Sequence, residues 1–164
     1  MPQITTFLTF HDQAEQAARF YTSIFPNSKI TRITRYPDLG PQFPVKAGHV
    51  MTVEFTLDGR PFTALNAGAG CAPQFGFTQG ISIAVICDTQ HQVDEYWEKF
   101  VAAGGKPVAC GWITDHFGVS WQIDPKVLID MIADPDPVRA AKVMQAMMTM
   151  VKIDSEQLKR AVGG

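Results

Sequence analysis

The order of secondary-structure signals occurs twice in this sequence, and this internal repeat constrains the fold more than any other feature. A shift of 76 residues places Asp12 on Asp88 and Tyr21 on Trp97. Each copy reads as a strand, a helix and then antiparallel strands. Two amphipathic helices that follow strands can align by chance, but here the order of elements repeats together with the aromatic positions. We therefore predict two copies of one supersecondary unit.

The first copy, module one, spans about residues 1–66. Asp12 and Glu15 form a capping-box pattern at the start of its helix, and Asp58-Gly59 is a favoured tight-turn pair between two strands. Residues 36–48 hold several Pro and Gly and predict a long loop, of the kind that often covers a binding site. The predicted elements are a strand at 4–10, a helix ending at Pro26, a strand at 29–35, and a hairpin of strands at 49–57 and 61–66.

The second copy follows a linker at 67–79 and spans about 80–124, with a helical tail at 125–164. Asp88 or Thr89 caps its helix, and Gly104-Gly105 ends it. In the tail, Pro137 follows an Asp and marks a helix start. The other predicted elements are strands at 81–87, 112–115 and 119–123, a helical turn at 127–132, a last helix from Asp154, and an apolar stripe of Val138, Ala141, Met144, Met147 or Met148 and Val151. We expect that stripe to pack on the chain's own sheet or on a dimer mate.

Composition and charge limit the class of protein. The 164 residues are 46% hydrophobic, which fits a single domain spanning 1–164. Fourteen basic residues are scattered among 16 acidic ones, so we expect no nucleic-acid partner and no membrane partner. No apolar run approaches the roughly 20 residues of a membrane span, and the N-terminus lacks a signal-peptide pattern. The three cysteines form no CxxC pair, which favours reduced thiols and a cytoplasmic location.

The run from Asp115 to Asp124 predicts a strand that lines a pocket. Val119, Trp121 and Ile123 alternate with Ser120 and Gln122, so one face is apolar and the other polar. The apolar face can pack while the polar face offers hydrogen bonds to a ligand.

Seven short runs carry a resemblance to a known family. They are Ala14–Tyr21, Ile24–Ser28, Met51–Phe55, Phe62–Asn66, Cys110–Trp112, Asp115–Gln122 and Ala133–Pro137. They resemble the vicinal oxygen chelate superfamily of glyoxalase I, bleomycin-resistance proteins and extradiol dioxygenases. Within it they resemble PhnB-like proteins, whose domain is often named 3-demethylubiquinone-9 3-methyltransferase. The resemblance implies an α+β fold in which two βαβββ modules form a curved mixed sheet around a cleft, here with C-terminal helices, and commonly a homodimer.

The resemblance also implies positions for a site. Metal-dependent members of the superfamily place ligands, usually His and Glu, on the first and last strands of each module. Matching by spacing assigns Thr6 and Ser82 to the first-strand positions, and Asn66 and Gln122 to the last-strand positions. None of these side chains brings an anionic oxygen or an imidazole nitrogen. We therefore expect no metal and no cofactor; the four residues either bind a neutral polar ligand or pair with one another.

Three further residues are candidates for the site. Glu54 lies mid-strand and is either a general base in an enclosed cleft or a carboxylate on an exposed strand face. His116, beside Asp115, is either a pocket residue or part of the turn. Trp112 either walls an apolar ligand or belongs to the core.

Two functions remain open from the sequence. The first is a protein that binds a small organic molecule in the sheet cleft without metal; the second is an enzyme acting on such a molecule, with Glu54 as base. Methyl transfer is not supported by the residues themselves. The glycine-rich run from Leu65 to Gly70 follows a strand, but the residues after it lack the helical period that a nucleotide-type donor site requires.

Overall fold

The computed structural model describes residues 4–68 and 76–163, and these residues form two four-stranded sheets and five helices. They divide into two compact units, residues 1–76 and 77–164. The boundary falls inside the predicted linker at 67–79. Residues 69–75 of that linker, including the end of the glycine-rich run, lie outside the described residues.

The first unit is a βαβββ module. Its strand order is β1-β4-β3-β2, with β1 parallel to β4 and the other neighbours antiparallel. Asp58 and Gly59 connect β3 to β4 with positive φ angles of 46° and 75°, as a primed hairpin turn requires. The elements are β1 (Thr6–Phe10), α1 (Ala14–Ile24), β2 (Lys29–Arg35), β3 (Val50–Leu57) and β4 (Arg60–Asn66).

The second unit repeats this topology in the order β5-β8-β7-β6, again with the first strand parallel to the last. The predicted α+β class, with two βαβββ modules and C-terminal helices, is confirmed. Strand β6 was not predicted, because it is only two residues long and contains Pro107, which cannot donate to a ladder. The elements are β5 (Ile83–Cys87), α2 (Gln90–Ala102), β6 (Lys106–Pro107), β7 (Trp112–Thr114) and β8 (Ser120–Pro125).

Each helix packs on one face of its own sheet. The rings of Tyr21 on α1 and Phe55 on β3 lie 6.3 Å apart, and those of Phe100 on α2 and Trp121 on β8 lie 4.9 Å apart. The internal repeat is confirmed by burial, because three matched pairs of helix positions are buried in both units. These pairs are Ala17 and Val93, Tyr21 and Trp97, and Ile24 and Phe100.

The two helix starts differ from each other. Of the two predicted caps, Asp88 and Thr89, it is Thr89 that caps α2, in a capping box with Gln92. The predicted box at Asp12 and Glu15 is wrong, because α1 begins one residue later and Gln13 is its N-cap without a side-chain hydrogen bond. The backbone N–H of Ala14 instead donates to Asn66 Oδ1 at 2.8 Å. A residue 52 positions away therefore replaces the local cap.

The tail forms three helices with a core of their own. They are α3 (Lys126–Ile132), α4 (Pro137–Met147) and α5 (Ser155–Gly163). Asp136 caps α4, with Pro137 at its first position, as predicted. The core cluster consists of Leu128, Val143, Met150, Ile153 and Leu158.

The predicted apolar stripe of α4 is largely exposed within the chain, so it does not pack on the chain's own sheet, and its packing on a dimer mate stays a prediction. Val143 is fully buried, whereas Val138 is 63% exposed and Met148 is 70% exposed. Apolar residues lie on both sides of this helix, so periodicity alone could not select the side that packs. No helix in the described part of the chain is both long enough and apolar enough to cross a membrane.

The tail is fixed to the second unit by hydrogen bonds and an ion pair. The backbone N–H groups of Cys110 and Gly111 donate to the carbonyl oxygens of Met150 and Val151, both at 2.8 Å. Lys152 Nζ lies 2.6 Å from Asp94 Oδ1 on α2. Because backbone and side-chain contacts both join the tail to its own module, the tail is an integral part of this unit.

Candidate functional site

Strand β8 has the two faces that its alternation predicted. Val119, Trp121 and Ile123 are buried against the α2 side of the sheet. Ser120 and Gln122 alternate onto the opposite face, the open face of the second sheet, where Gln122 is half-buried. Ser120 is itself only 3% exposed, so the polar face of this strand is also partly covered.

Three of the predicted pocket residues lie together on this open face. The Nε2 atom of Gln122 donates a hydrogen bond to Ser82 Oγ at 2.7 Å. Trp112 on β7 and Ala84 on β5 are the register partners of Gln122. Within residues 76–163, Gln122 Oε1 accepts no hydrogen bond from a protein group. The bond to Ser82 therefore fixes the Gln122 amide through Nε2, and Oε1 is left available to accept a hydrogen bond from a ligand.

Asp124 belongs to the same face and was missed from the sequence. Burial raises the pKa of its half-buried carboxyl group from 3.8 to about 6. Its side chain has no hydrogen-bond or ion-pair partner among the described residues. The alternation that selected Gln122 also includes Asp124, two residues further along, so the signal was present in the sequence.

Cys87, at the end of β5, is buried. Burial, and then the charges of Asp124 and Asp88, raise the pKa of its thiol to about 11. A thiol with that pKa stays protonated at neutral pH, so Cys87 is a core residue without a nucleophilic role.

Thr6 lies on the other side of its sheet. It pairs in register with Phe62, whose ring stacks on Phe55 at 5.5 Å, and Phe55 contacts α1. Thr6 therefore lies on the helix side of its sheet, whereas Ser82 alternates onto the open face of the second sheet. Matching Thr6 to Ser82 by spacing failed because β1 and β5 differ by one residue in their distance along the chain from the helix that follows. A shift of one residue along a strand moves a side chain to the other face of the sheet.

Asn66 has a structural role at the end of β4. Its Oδ1 accepts from the N–H of Ala14 at 2.8 Å, and its Nδ2 donates to the carbonyl oxygen of Val50 at 3.1 Å. The side chain is 8% exposed. It therefore ties the start of α1 to the sheet and lies on the helix side.

Glu54 lies on the open face of the first sheet, where it forms an ion pair with Arg32. Both Nε and Nη2 of Arg32 donate to Glu54 Oε1. The hydrogen bond and the charge of Glu54 raise the pKa of the Arg32 guanidinium. The Glu54 side chain is 35% exposed, so this carboxylate is neither enclosed nor unpaired.

His116 is exposed, and its ring lies 3.9 Å from that of Phe117. The turn is held by its neighbour Asp115, which is 4% exposed. Asp115 Oδ1 accepts from the N–H groups of Phe117 and Val119, and Oδ2 accepts from Trp121 Nε1, all at 2.9 Å. The turn-stabilising role that the sequence left open for His116 belongs to Asp115.

The residues at the site do not form a metal-binding set. No group of three or more His, Cys, Asp or Glu side chains within residues 4–68 and 76–163 is placed to hold a metal ion. On the open face of the second sheet, the hydroxyl of Ser82 and the amide of Gln122 bond to each other. Neutral oxygens of this kind are poor ligands for a transition metal.

The first unit contains a separate cleft of about 620 Å³. It lies between the start of α1 and the loop at 36–49, and Asn66 contributes to its floor. The loop thus lines a cleft, as its length and composition suggested. Sequence reasoning did not identify the helix residues that face the loop.

Comparison with known proteins places these features in a family. The family model described as 3-demethylubiquinone-9 3-methyltransferase matches residues 2–124. The solved structure of the PhnB protein from Bacillus cereus is 36% identical with a TM-score of 0.65, and the match covers 76% of this chain and 99% of that chain. No curated protein gives a match.

Two more distant structures share the fold. Protein PA1353 from Pseudomonas aeruginosa is 19% identical with a TM-score of 0.59, covering 76% of this chain and 98% of that one. The fosfomycin resistance protein FosX from Listeria monocytogenes, solved with Mn(II) and sulfate, is 16% identical with a TM-score of 0.50, covering 74% and 89%. The family model ends within β8, so the helical tail lies outside it.

Proposed function

The chain belongs to the family described as 3-demethylubiquinone-9 3-methyltransferase, the PhnB-like branch of the vicinal oxygen chelate superfamily, and from that membership we propose that it binds a small organic molecule on the open face of its second sheet. The observation that carries the proposal is the Gln122–Ser82 hydrogen bond beside Trp112. Such a face combines an oriented polar group with an aromatic surface, as small-molecule sites usually do.

The chemistry of this face indicates the kind of ligand. Gln122 Oε1 accepts a hydrogen bond from a ligand N–H or O–H, while Trp112 packs on an apolar or aromatic body. Ala84 leaves room on the β5 side of Gln122. Asp124, with its raised pKa, is a second acceptor on the same strand face. A neutral organic molecule that carries at least one donor fits this arrangement.

The alternative function is an enzyme that uses Glu54 as a general base. An enclosed, unpaired Glu54 would favour it, but this carboxylate is paired with Arg32 and open to solvent. The pairing supports a binding role over catalysis by Glu54. Methyl transfer, which the family description names, draws no support from the residues on the open face.

Replacing Gln122 with Leu tests the binding site. We expect the fold to persist, because the volumes are similar and no charge is removed. Binding should weaken by roughly 1 to 3 kcal/mol, since a polar group of the ligand loses its partner. Thermal-shift screening with S-adenosylmethionine, quinone-like and phosphonate-like compounds supplies the ligand, and calorimetry measures its affinity. Gln157→Leu, an exposed position on α5, is the matched control; equal effects at both positions would refute the site.

We propose that the protein works without a metal. The neutral side chains at Ser82 and Gln122 support this, although the FosX structure contains Mn(II). Elemental analysis of protein purified without chelator should find far less than one transition-metal ion per chain. One equivalent of zinc, iron, nickel or manganese, retained through dialysis, would contradict the proposal.

We propose further that the protein is a cytoplasmic homodimer without a nucleic-acid partner. Strands β1 and β5 are edges of their sheets, and open edges favour pairing. Two-fold assembly is the commonest closed symmetry. Sedimentation at micromolar concentration should therefore give about twice the chain mass of 18.1 kDa. A single species at the chain mass would contradict the dimer.

A further inference from the structure

The cleft in the first unit has two walls of different origin. One wall is the exposed side of the α1 region, with Asp12, Glu15 and Arg19. The other wall is the loop, with Val45 and Lys46. At about 620 Å³ the cleft is within the usual size range of small-molecule sites.

The floor of the cleft is fixed by hydrogen bonds. The Tyr36 hydroxyl donates to the carbonyl oxygen of Asn66 at 2.6 Å. The Tyr36 N–H donates to the carbonyl oxygen of His49, and the Gly48 N–H donates to the carbonyl oxygen of Tyr36, both at 2.9 Å. These bonds close the base of the loop on the same Asn66 that ties α1 to the sheet. The two walls are therefore held to one scaffold, which lowers the ordering cost of binding.

The charges on the walls are balanced and separated. Glu15 and Arg19 neutralise each other in an ion pair at 2.6 Å. Asp12 and Lys46 have no ion-pair or side-chain hydrogen-bond partner within the described residues. One unpaired carboxylate thus belongs to the α1 wall and one unpaired ammonium belongs to the loop wall.

We propose that this cleft binds a small zwitterion, a molecule that carries an ammonium group, a carboxylate and an apolar body. The ammonium group meets Asp12 and the carboxylate meets Lys46. The apolar body rests on Tyr36, Val45 and Val50. A ligand with a single charge pairs with only one of Asp12 and Lys46 and leaves the other without a partner. The proposal is independent of the open face of the second sheet.

A series of matched ligands tests the charge pattern. L-phenylalanine, 3-phenylpropionate and 2-phenylethylamine share one apolar body and differ in the charges they carry; L-leucine and L-methionine vary the body. Binding to the full chain is measured by NMR titration at pH 8. We expect L-phenylalanine to bind about tenfold more tightly than 3-phenylpropionate and 2-phenylethylamine.

Two variants assign the charges to the walls. Lys46→Gln should remove the preference of the cleft for L-phenylalanine over 2-phenylethylamine. Asp12→Asn should remove the preference for L-phenylalanine over 3-phenylpropionate. Lys29→Gln and Asp58→Asn, exposed positions of the same unit outside the cleft, are the controls. The proposal is overturned if no amino acid of the panel binds, if a single-charge analogue binds as tightly, or if the cleft variants behave like the controls. Gln122→Leu should leave this binding unchanged, which separates the two sites.

Discussion

Replacing Asp115 with Ala is expected to lower the free energy of unfolding by roughly 3 to 5 kcal/mol, among the largest effects of any single substitution in the chain. Its carboxylate accepts from two backbone N–H groups and from the indole of Trp121. Asp115 and Trp121 are almost inaccessible to solvent. After the substitution these donors lose their acceptor, and water has little access to replace it. Urea unfolding monitored by tryptophan fluorescence measures the change.

Two milder variants show which bonds matter. Asp115→Asn keeps one acceptor oxygen for the turn but directs an amide N–H toward the indole N–H, so we expect about half of the loss. Trp121→Phe keeps the turn and removes only the indole donor and some volume. If Asp115→Ala were no worse than Asp130→Ala, at an exposed position on α3, the network would have no part in stability.

Gly111→Ala is expected to destabilise the protein by roughly 3 kcal/mol or more. Gly111 has a φ of 81°, which side-chain-bearing residues seldom adopt. An added Cβ would also lie 2.7 Å from Asp124 Oδ1 and 3.1 Å from Cγ1 of Ile153 in the tail. The methyl group therefore pushes β8 and the tail away from β7.

Gly48→Ala is the matched control for this substitution. Gly48 has nearly the same φ, 80°, but nothing lies within 4 Å of its added Cβ. It should cost only about 1 kcal/mol, the price of the backbone conformation. The difference between the two variants, read from their denaturation midpoints, isolates the close packing at Gly111. Equal losses of unfolding free energy in the two variants would mean that the close packing around Gly111 adds nothing to the cost of the substitution.

The fold was predictable wherever short stretches of sequence decide the structure. The hairpin at Asp58-Gly59 and the helix starts at Thr89 and Pro137 depend on neighbouring residues, and each occurs where predicted. The repeat was predictable because burial at the helix positions is preserved between the two units. Strand β8 was predictable because its two faces differ strongly in polarity.

The remaining features depend on contacts between distant residues. The cap of α1 comes from Asn66, which no local pattern reveals. Thr6 was assigned to the wrong face because a single-residue difference between the units reverses a strand. Arg32 neutralises Glu54 from the neighbouring strand, so the role of that carboxylate depended on the sheet register. The cleft in the first unit likewise needs the loop and α1 side by side.

The half-buried Asp124 couples folding to proton uptake. Its pKa in the folded chain is about 6, against 3.8 in water, so between these values the folded chain binds the proton and the unfolded chain does not. Its contribution to stability is therefore fully present below pH 3.8 and is lost as the pH rises through 6. Asp94, whose pKa is lowered chiefly by its hydrogen bond to Lys152, acts in the opposite sense, because its contribution is lost in acid. Mild acid, between pH 6 and 3.8, therefore strengthens the β8 end of the second unit, and only stronger acid, below pH 3.8, loosens the ion pair that fastens the tail to α2.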